Sequence, residues 1–172
     1  ISTGPALPKV PVVDFAKFGP VEVTPLSRVR KISGPRLQAA WLNIPHVTQQ
    51  DEADITVLEE RRKALKDKAT AAGVRLTPLA FFIRAAVLAL KEFPDFNSSL
   101  TEDGTGLVHK KYWHIGFAAD TPQGLVVPVI RDADQKDLYT IARELGTQSE
   151  KARNGKLTAN EMQGGTFTIS SL

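Results

Sequence analysis

The sequence predicts an α/β chain of the two-layer α+β kind, in which a mixed sheet carries helices on one side. Three observations predict it. Residues 56–72 and 137–153 repeat apolar side chains at helical spacing, through Leu58, Leu65, Ala69 and Ala72 and through Leu138, Ile141, Ala142 and Leu145. Between them, residues 78–90 are apolar nearly all round, the mark of a helix buried within a domain or between subunits. Short runs at 96–100, 106–111, 113–119, 125–130 and 164–172 are apolar or alternate, and they do not follow a strict strand-helix-strand rhythm.

The elements follow in order. Gly4, Pro5, Pro8 and Pro11 give the opening a linker composition, so residues 1–20 are read as a linker and N-terminal arm, and residues 21–172 as one domain. Val12 to Phe15 and Val21 to Val23 are short extended candidates with too little apolar surface for a core of their own. Thr24-Pro25 offers an N-cap and a proline at the first helical position, while Gly34-Pro35 inside the following pattern predicts two helical pieces. From His46 to Ile55 the alternation is that of a strand with one strongly polar face. Thr56 and Glu59 match a capping box, Glu59 and Lys63 an i,i+4 ion pair, and Gly73 a helix stop. Thr77-Pro78 starts the apolar helix and Pro94 ends it.

Asp103-Gly104 predicts a hairpin turn between residues 96–100 and 106–111, and Trp113 opens a further strand. Thr121-Pro122-Gln123-Gly124 has proline and glycine at the positions of a type I turn. The run after it contains Pro128, which cannot donate to a ladder and so belongs at a sheet edge or bulge. Lys151 and Arg153 in the last turn of residues 137–153, followed by Asn154-Gly155, give that helix its stop. Gly164-Gly165 allows close backbone approach at a bend before the final alternating run. That run ends at Leu172 without a turn or cap, and the chain opens at Ile1 without methionine; the expectation is a piece of a longer polypeptide.

The 172 residues are 42% hydrophobic and 24% charged, enough for one domain with a real core. There is no cysteine, which excludes a disulfide framework, a thiolate metal site and a cysteine nucleophile. Twenty-two basic residues are interleaved with 19 acidic ones, a pattern compatible with a phosphate-bearing ligand and poorly suited to dedicated nucleic-acid binding. Nonspecific binding of that kind would fall steeply with salt. Arg84 interrupts the most apolar stretch, which is too short for a bilayer, and nothing resembles a signal peptide; the expected location is cytoplasmic, without membrane or metal.

Five ordered motifs carry a family resemblance from about Val12 onward. They are Thr24-Pro25-Leu26-Ser27-Arg28-Val29-Arg30-Lys31, Ile44-Pro45-His46-Val47-Thr48, Pro94-Asp95-Phe96-Asn97-Ser98-Ser99-Leu100, the run from Asp120 to Ile130, and Gly164-Gly165-Thr166-Phe167-Thr168-Ile169-Ser170. The chain resembles the catalytic domain of dihydrolipoamide acyltransferases, the core subunits of 2-oxo acid dehydrogenase complexes. Around Trp41 to Thr48 it is most similar to bacterial pyruvate dehydrogenase acetyltransferases, with succinyl and branched-chain sister enzymes as the alternative. The resemblance implies a chloramphenicol-acetyltransferase-like fold, here incomplete, with self-association into trimers that build a larger cubic core. It implies coenzyme A as substrate, a lipoyl group on a separate domain as acyl carrier, and 2-oxo acid decarboxylase and dihydrolipoamide dehydrogenase subunits as partners.

That chemistry needs a base for the thiol proton and a donor aimed at the oxyanion. In the resembled family the base is a histidine in a His-x-x-x-Asp-Gly motif, and neither His46, His109 nor His114 is followed by that pattern. The fragment alone is therefore expected to be inactive, and a purely structural core module is the reading from another class. Ser170 matches the family's oxyanion-donating serine, with Ser171 the choice if the register shifts by one. Asp120 stands beside the Pro-Gly turn, where it either caps the turn or touches coenzyme A. His46 is a candidate for substrate binding, read as a packed or hydrogen-bonded histidine near the channel in preference to a replacement base, because no orienting carboxylate accompanies it in sequence. Arg62, with Arg61 and Lys63, is a candidate for coenzyme A phosphates or simply part of a solvated helix face.

Overall fold

The computed structural model describes residues 11–170, so the expectations for residues 1–10 and for Ser171 lie outside the described residues. Five helices and five short strands form, in the order α1 (Arg28–Asn43), α2 (Thr56–Ala64), α3 (Lys66–Ala71), α4 (Pro78–Glu92), β1 (Ser98–Leu100), β2 (Leu107–His109), β3 (Ile115–Phe117), β4 (Val129–Ile130), α5 (Leu138–Arg153) and β5 (Phe167–Ile169). The arm before α1 is exposed, with a 3-10 turn at Phe15–Lys17 where Val12 to Phe15 was expected to be extended.

Two sheets organise the strands. β1 and β2 make the expected antiparallel hairpin around Gly104, whose φ of 71° needs a glycine. The second sheet has the order β4-β3-β5; β3 is antiparallel to β4 and parallel to β5, so it is mixed as predicted. β4 lies at an edge, and Pro128, just before it, gives only its carbonyl, accepting from Phe117 N–H at 3.0 Å. Pro128 is thus placed where a missing N–H costs no ladder bond.

The core lies between this sheet and the helices. Ile115, Phe117 and Ile130 pack in one buried cluster with Ala80, Ile83, Val87 and Leu90 of α4 and Ile141, Ala142 and Leu145 of α5. These positions follow the helical stripes read from the sequence. Arg84, the charge inside α4, reaches the backbone carbonyls of Ala133 and Lys136 at 3.4 and 3.1 Å, so it ties the helix to the loop before α5. Asp137 caps α5 by accepting from Thr140 N–H at 2.7 Å.

The N-terminal third departs from expectation. α1 starts after Ser27 rather than at Thr24-Pro25, because the Ser27 hydroxyl accepts from Arg30 N–H at 3.4 Å. It continues as one helix through Pro35, and none of its residues is buried. The carbonyl that Pro35 leaves without an intrahelical donor is therefore open to water, which lowers the cost of an interior proline. Residues 45–55 form no strand and are exposed; their alternation had no neighbouring strand to pair with.

The capping box at Thr56 does not form either. Asp54 takes the Thr56 N–H at 2.8 Å and hydroxyl at 2.6 Å, leaving Ile55 as the N-cap residue without a side-chain bond. Glu59 pairs with Arg62 rather than Lys63, and the helix is divided at Leu65 into α2 and α3. Gly73 ends α3 as expected: with φ at 68°, its N–H reaches Thr70 O while Val74 N–H reaches Ala69 O, the paired bonds of a Schellman stop.

Candidate active site

The parallel pairing of β3 and β5 sets Phe117 opposite Ile169. Ala118 N–H then donates to Ile169 O at 3.1 Å, so Ser170 leaves β5 at the same end of the sheet where β3 runs out toward Asp120. Ala119 exchanges both backbone bonds with Val126, at 2.9 and 3.0 Å, which fixes the base of the turn that Asp120 opens. Thus Asp120 and Ser170, far apart in sequence, project from neighbouring C-terminal strand ends and are both exposed.

The close approach of these strands depends on glycine. A Cβ on Gly116, opposite Thr168, would lie 2.9 Å from Val127 Cγ1 and 3.0 Å from Thr168 Oγ1, so any side chain there would force Val127, Thr168 or both to shift. The bend before β5 also behaves as read: Gly164 has φ at 78°, and Thr166 N–H donates to His114 O at 2.8 Å.

The turn after Asp120 closes through Gly124 N–H to Thr121 O at 3.0 Å. Its internal cap is Thr121, whose hydroxyl donates to Gly124 O at 2.6 Å and accepts from Gln123 N–H at 3.3 Å. Among the described residues, the Asp120 carboxylate takes no part in these bonds, which removes the turn-capping explanation for it.

The other two candidates stand on separate elements. His46 is exposed and lies beyond the end of α1, its ring stacked on Trp41 with centroids 5.3 Å apart and planes at 27°. Arg62 grips Glu59 with two bonds, Nε to Oε1 at 2.9 Å and Nη2 to Oε2 at 2.7 Å, and its Nη1 reaches Leu76 O at 3.5 Å. That hydrogen-bonded guanidinium holds the Glu59 carboxyl below its usual range, and the carboxylate in turn raises Arg62.

Arg62 also lines a cleft of about 490 Å³ with Lys66, Thr70 and Arg75, around the backbone at Gly73. Lys66 and Arg75 were missed from the sequence. The four-residue spacing of Arg62 and Lys66 was the available signal, because it puts both on one helical face, whereas the run 61–63 does not. Among the described residues no Asp or Glu lines the cleft, so with Arg62 paired to Glu59 the free cations Lys66 and Arg75 still favour an anion there.

The three histidines are engaged elsewhere or placed on other elements. His114 Nδ1 accepts from Asp132 N–H at 3.0 Å, at the opposite end of β3 from Asp120, and His109 Nδ1 lies 3.4 Å from Pro94 O. Among the described residues no group of three or more metal-ligating side chains is gathered, and no helix is long and apolar enough to cross a membrane.

Comparison with known proteins adds an independent finding. The family model for the 2-oxoacid dehydrogenases acyltransferase (catalytic domain) matches residues 18–172. The dihydrolipoyllysine-residue acetyltransferase component of the pyruvate dehydrogenase complex of Pseudomonas aeruginosa is 53% identical over 169 residues, covering 98% of this chain and 31% of that protein. The chain thus spans less than a third of the length of that curated relative. Two solved structures superpose with a TM-score of 0.93 at 54% identity, each covering 96% of this chain and 68% of the solved chain. One is the cubic core of the pyruvate dehydrogenase multienzyme complex. The other is Azotobacter vinelandii dihydrolipoamide acetyltransferase, solved to test the roles of a serine, a histidine and an asparagine in its catalytic mechanism.

Proposed function

Because the chain belongs to the 2-oxoacid dehydrogenase acyltransferase catalytic-domain family, we propose that this protein transfers an acetyl group from acetyl-dihydrolipoamide to coenzyme A in a pyruvate dehydrogenase complex. The convergence of Ser170 and Asp120 at the C-terminal ends of β5 and β3 carries the reading. The names of the relatives favour acetyl over succinyl or branched-chain groups.

In the reaction, the coenzyme A thiol gives up its proton and its sulfur attacks the thioester carbonyl, the carbonyl electron pair moves onto oxygen, and the tetrahedral intermediate collapses as the dihydrolipoamide sulfur leaves and takes up a proton. The Ser170 hydroxyl donates to the transient oxyanion, an interaction stronger in the transition state than in the ground state. Asp120, open to solvent beside it, accepts a hydrogen bond from the amide or hydroxyl groups of the coenzyme A arm. Arg62, Lys66 and Arg75 supply the anion-binding cleft for its phosphates, and the His46–Trp41 stack presents a flat face toward an entering substrate. The histidine base of the family's His-x-x-x-Asp-Gly motif has no counterpart in these residues, so no proton transfer is assigned to this chain.

The setting follows from the same reading. A lipoyl group on a separate domain delivers the acyl group, 2-oxo acid decarboxylase and dihydrolipoamide dehydrogenase subunits act before and after it, and the enzyme works in the cytoplasm downstream of glycolysis. The exposed apolar residues of the arm and α1, among them Phe18, Val23, Leu37 and Trp41, support self-association into homotrimers and a cubic core. For Ser170→Ala in the full-length protein, turnover is expected to fall about 100-fold with assembly size and coenzyme A KM little changed. Unchanged turnover removes Ser170 as the oxyanion donor.

A further inference from the structure

The start of α1 is tied directly to the body of the molecule. The Ser27 hydroxyl accepts from Arg30 N–H as the helix cap and donates to Gln123 O at 2.7 Å, across 96 residues of sequence. Two residues on, Val29 Cγ1 stands 3.2 Å from where a Cβ on Gly124 would be, so helix and turn are in close contact there. Farther along, a cleft of about 610 Å³ opens between Ile32 and Arg36 of α1 and Val127, Leu157 and Met162 of the body.

Gln123 is the exposed tip of the turn that begins beside Asp120. Inside the turn, Thr121 and Gly124 are bonded twice, and at its base Ala119 and Val126 are bonded twice. Such a unit moves as a piece, and among the described residues its tip takes one side-chain bond from outside, the Ser27 hydroxyl. We infer that Ser27 is a positioning residue for coenzyme A binding: by holding Gln123 O it fixes the tilt of the 121–124 turn and with it the aim of the Asp120 carboxylate. This rests on the reading of Asp120 as a coenzyme A contact.

The two roles of the hydroxyl can be separated by substitution. Ser27→Ala removes cap and tether together. Ser27→Asp keeps an oxygen that caps Arg30 N–H but has no proton for Gln123 O. Ser27→Thr keeps both. Steady-state kinetics of the full-length assembled protein are expected to show KM for coenzyme A raised about five- to tenfold in both Ser27→Ala and Ser27→Asp, with kcat within about twofold, and Ser27→Thr close to wild type.

If only Ser27→Ala changes KM, the hydroxyl matters as a helix cap and the inference fails. If only Ser27→Asp does, the added charge is responsible and it fails as well. Wild-type KM in both overturns it outright. Asp120→Asn serves as the reference: a raised KM there with silent Ser27 variants sinks the inference alone. A silent Asp120→Asn removes the Asp120 reading and the inference with it.

Discussion

α1 and α5 are both 16 residues long and both begin with a side-chain cap, Ser27 in one and Asp137 in the other. Their surroundings are opposite. α5 buries Ile141, Ala142, Leu145 and Ala152, and Lys151 and Glu144 make ion pairs to Glu161 and Lys136. α1 buries no residue, exposes 74% of Trp41, and among the described residues makes no ion pair. Capping and length therefore say little about what holds a helix in place; the apolar stripe does.

The largest effect that follows from this contrast lies on α5. Ile141→Ala removes a side chain with no exposed surface and is expected to cost about 2–5 kcal/mol in denaturant unfolding. A loss under about 1 kcal/mol would mean that the α4–α5 layer is not the stabilising core.

A smaller effect tests the ion pair that fastens α5 to the turn at Ala159–Met162. Lys151 donates to Glu161, and the backbone and hydroxyl of Thr158 add further bonds, which together lower the Glu161 carboxyl to about 2. A depressed folded value means the stabilisation is full above the unfolded value of about 4.5 and is lost as pH falls from there toward about 2. Glu161→Gln is expected to lower stability at pH 7 by about 1 kcal/mol, discounted for a partly exposed pair, and to flatten the acid loss between about pH 4.5 and 2. Unchanged acid sensitivity would assign that loss to other carboxylates.

The smallest effect belongs to α1. Leu37 is 68% exposed, and Leu37→Ala is expected to change the stability of the dissociated, monomeric chain by less than about 0.5 kcal/mol. A loss several times larger in the monomer would show that α1 packs against the body of its own chain, and it would erase the contrast with α5.

Much of the body was legible because its signals are local. The stripe through Ile141 and Leu145, the glycine at 73, the Asp103-Gly104 hairpin and the edge position of Pro128 each follow from a few neighbouring residues. Around α2 the same kind of reasoning failed. Asp54 outcompeted the box between Thr56 and Glu59, and Glu59 chose Arg62 over Lys63, since several partners lay within one turn and only their side-chain geometry decided among them. The strand expected from His46 to Ile55 failed for another reason: alternation makes a strand only where a neighbour offers a ladder.

The candidate site divides along the same line. By itself, the sequence determined the α/β class, the helices with buried stripes, the turns set by glycine and proline, and the family motifs that contain Asp120 and Ser170. Tertiary structure alone decided that these two residues leave the same end of the sheet, that Lys66 and Arg75 join Arg62 around one cleft, and that Ser27 reaches the turn beside Asp120. Helix periodicity and turn chemistry act over a few residues and can be read along the chain. Strand register and loop docking couple segments many tens of residues apart, and their outcome depends on how every intervening element packs.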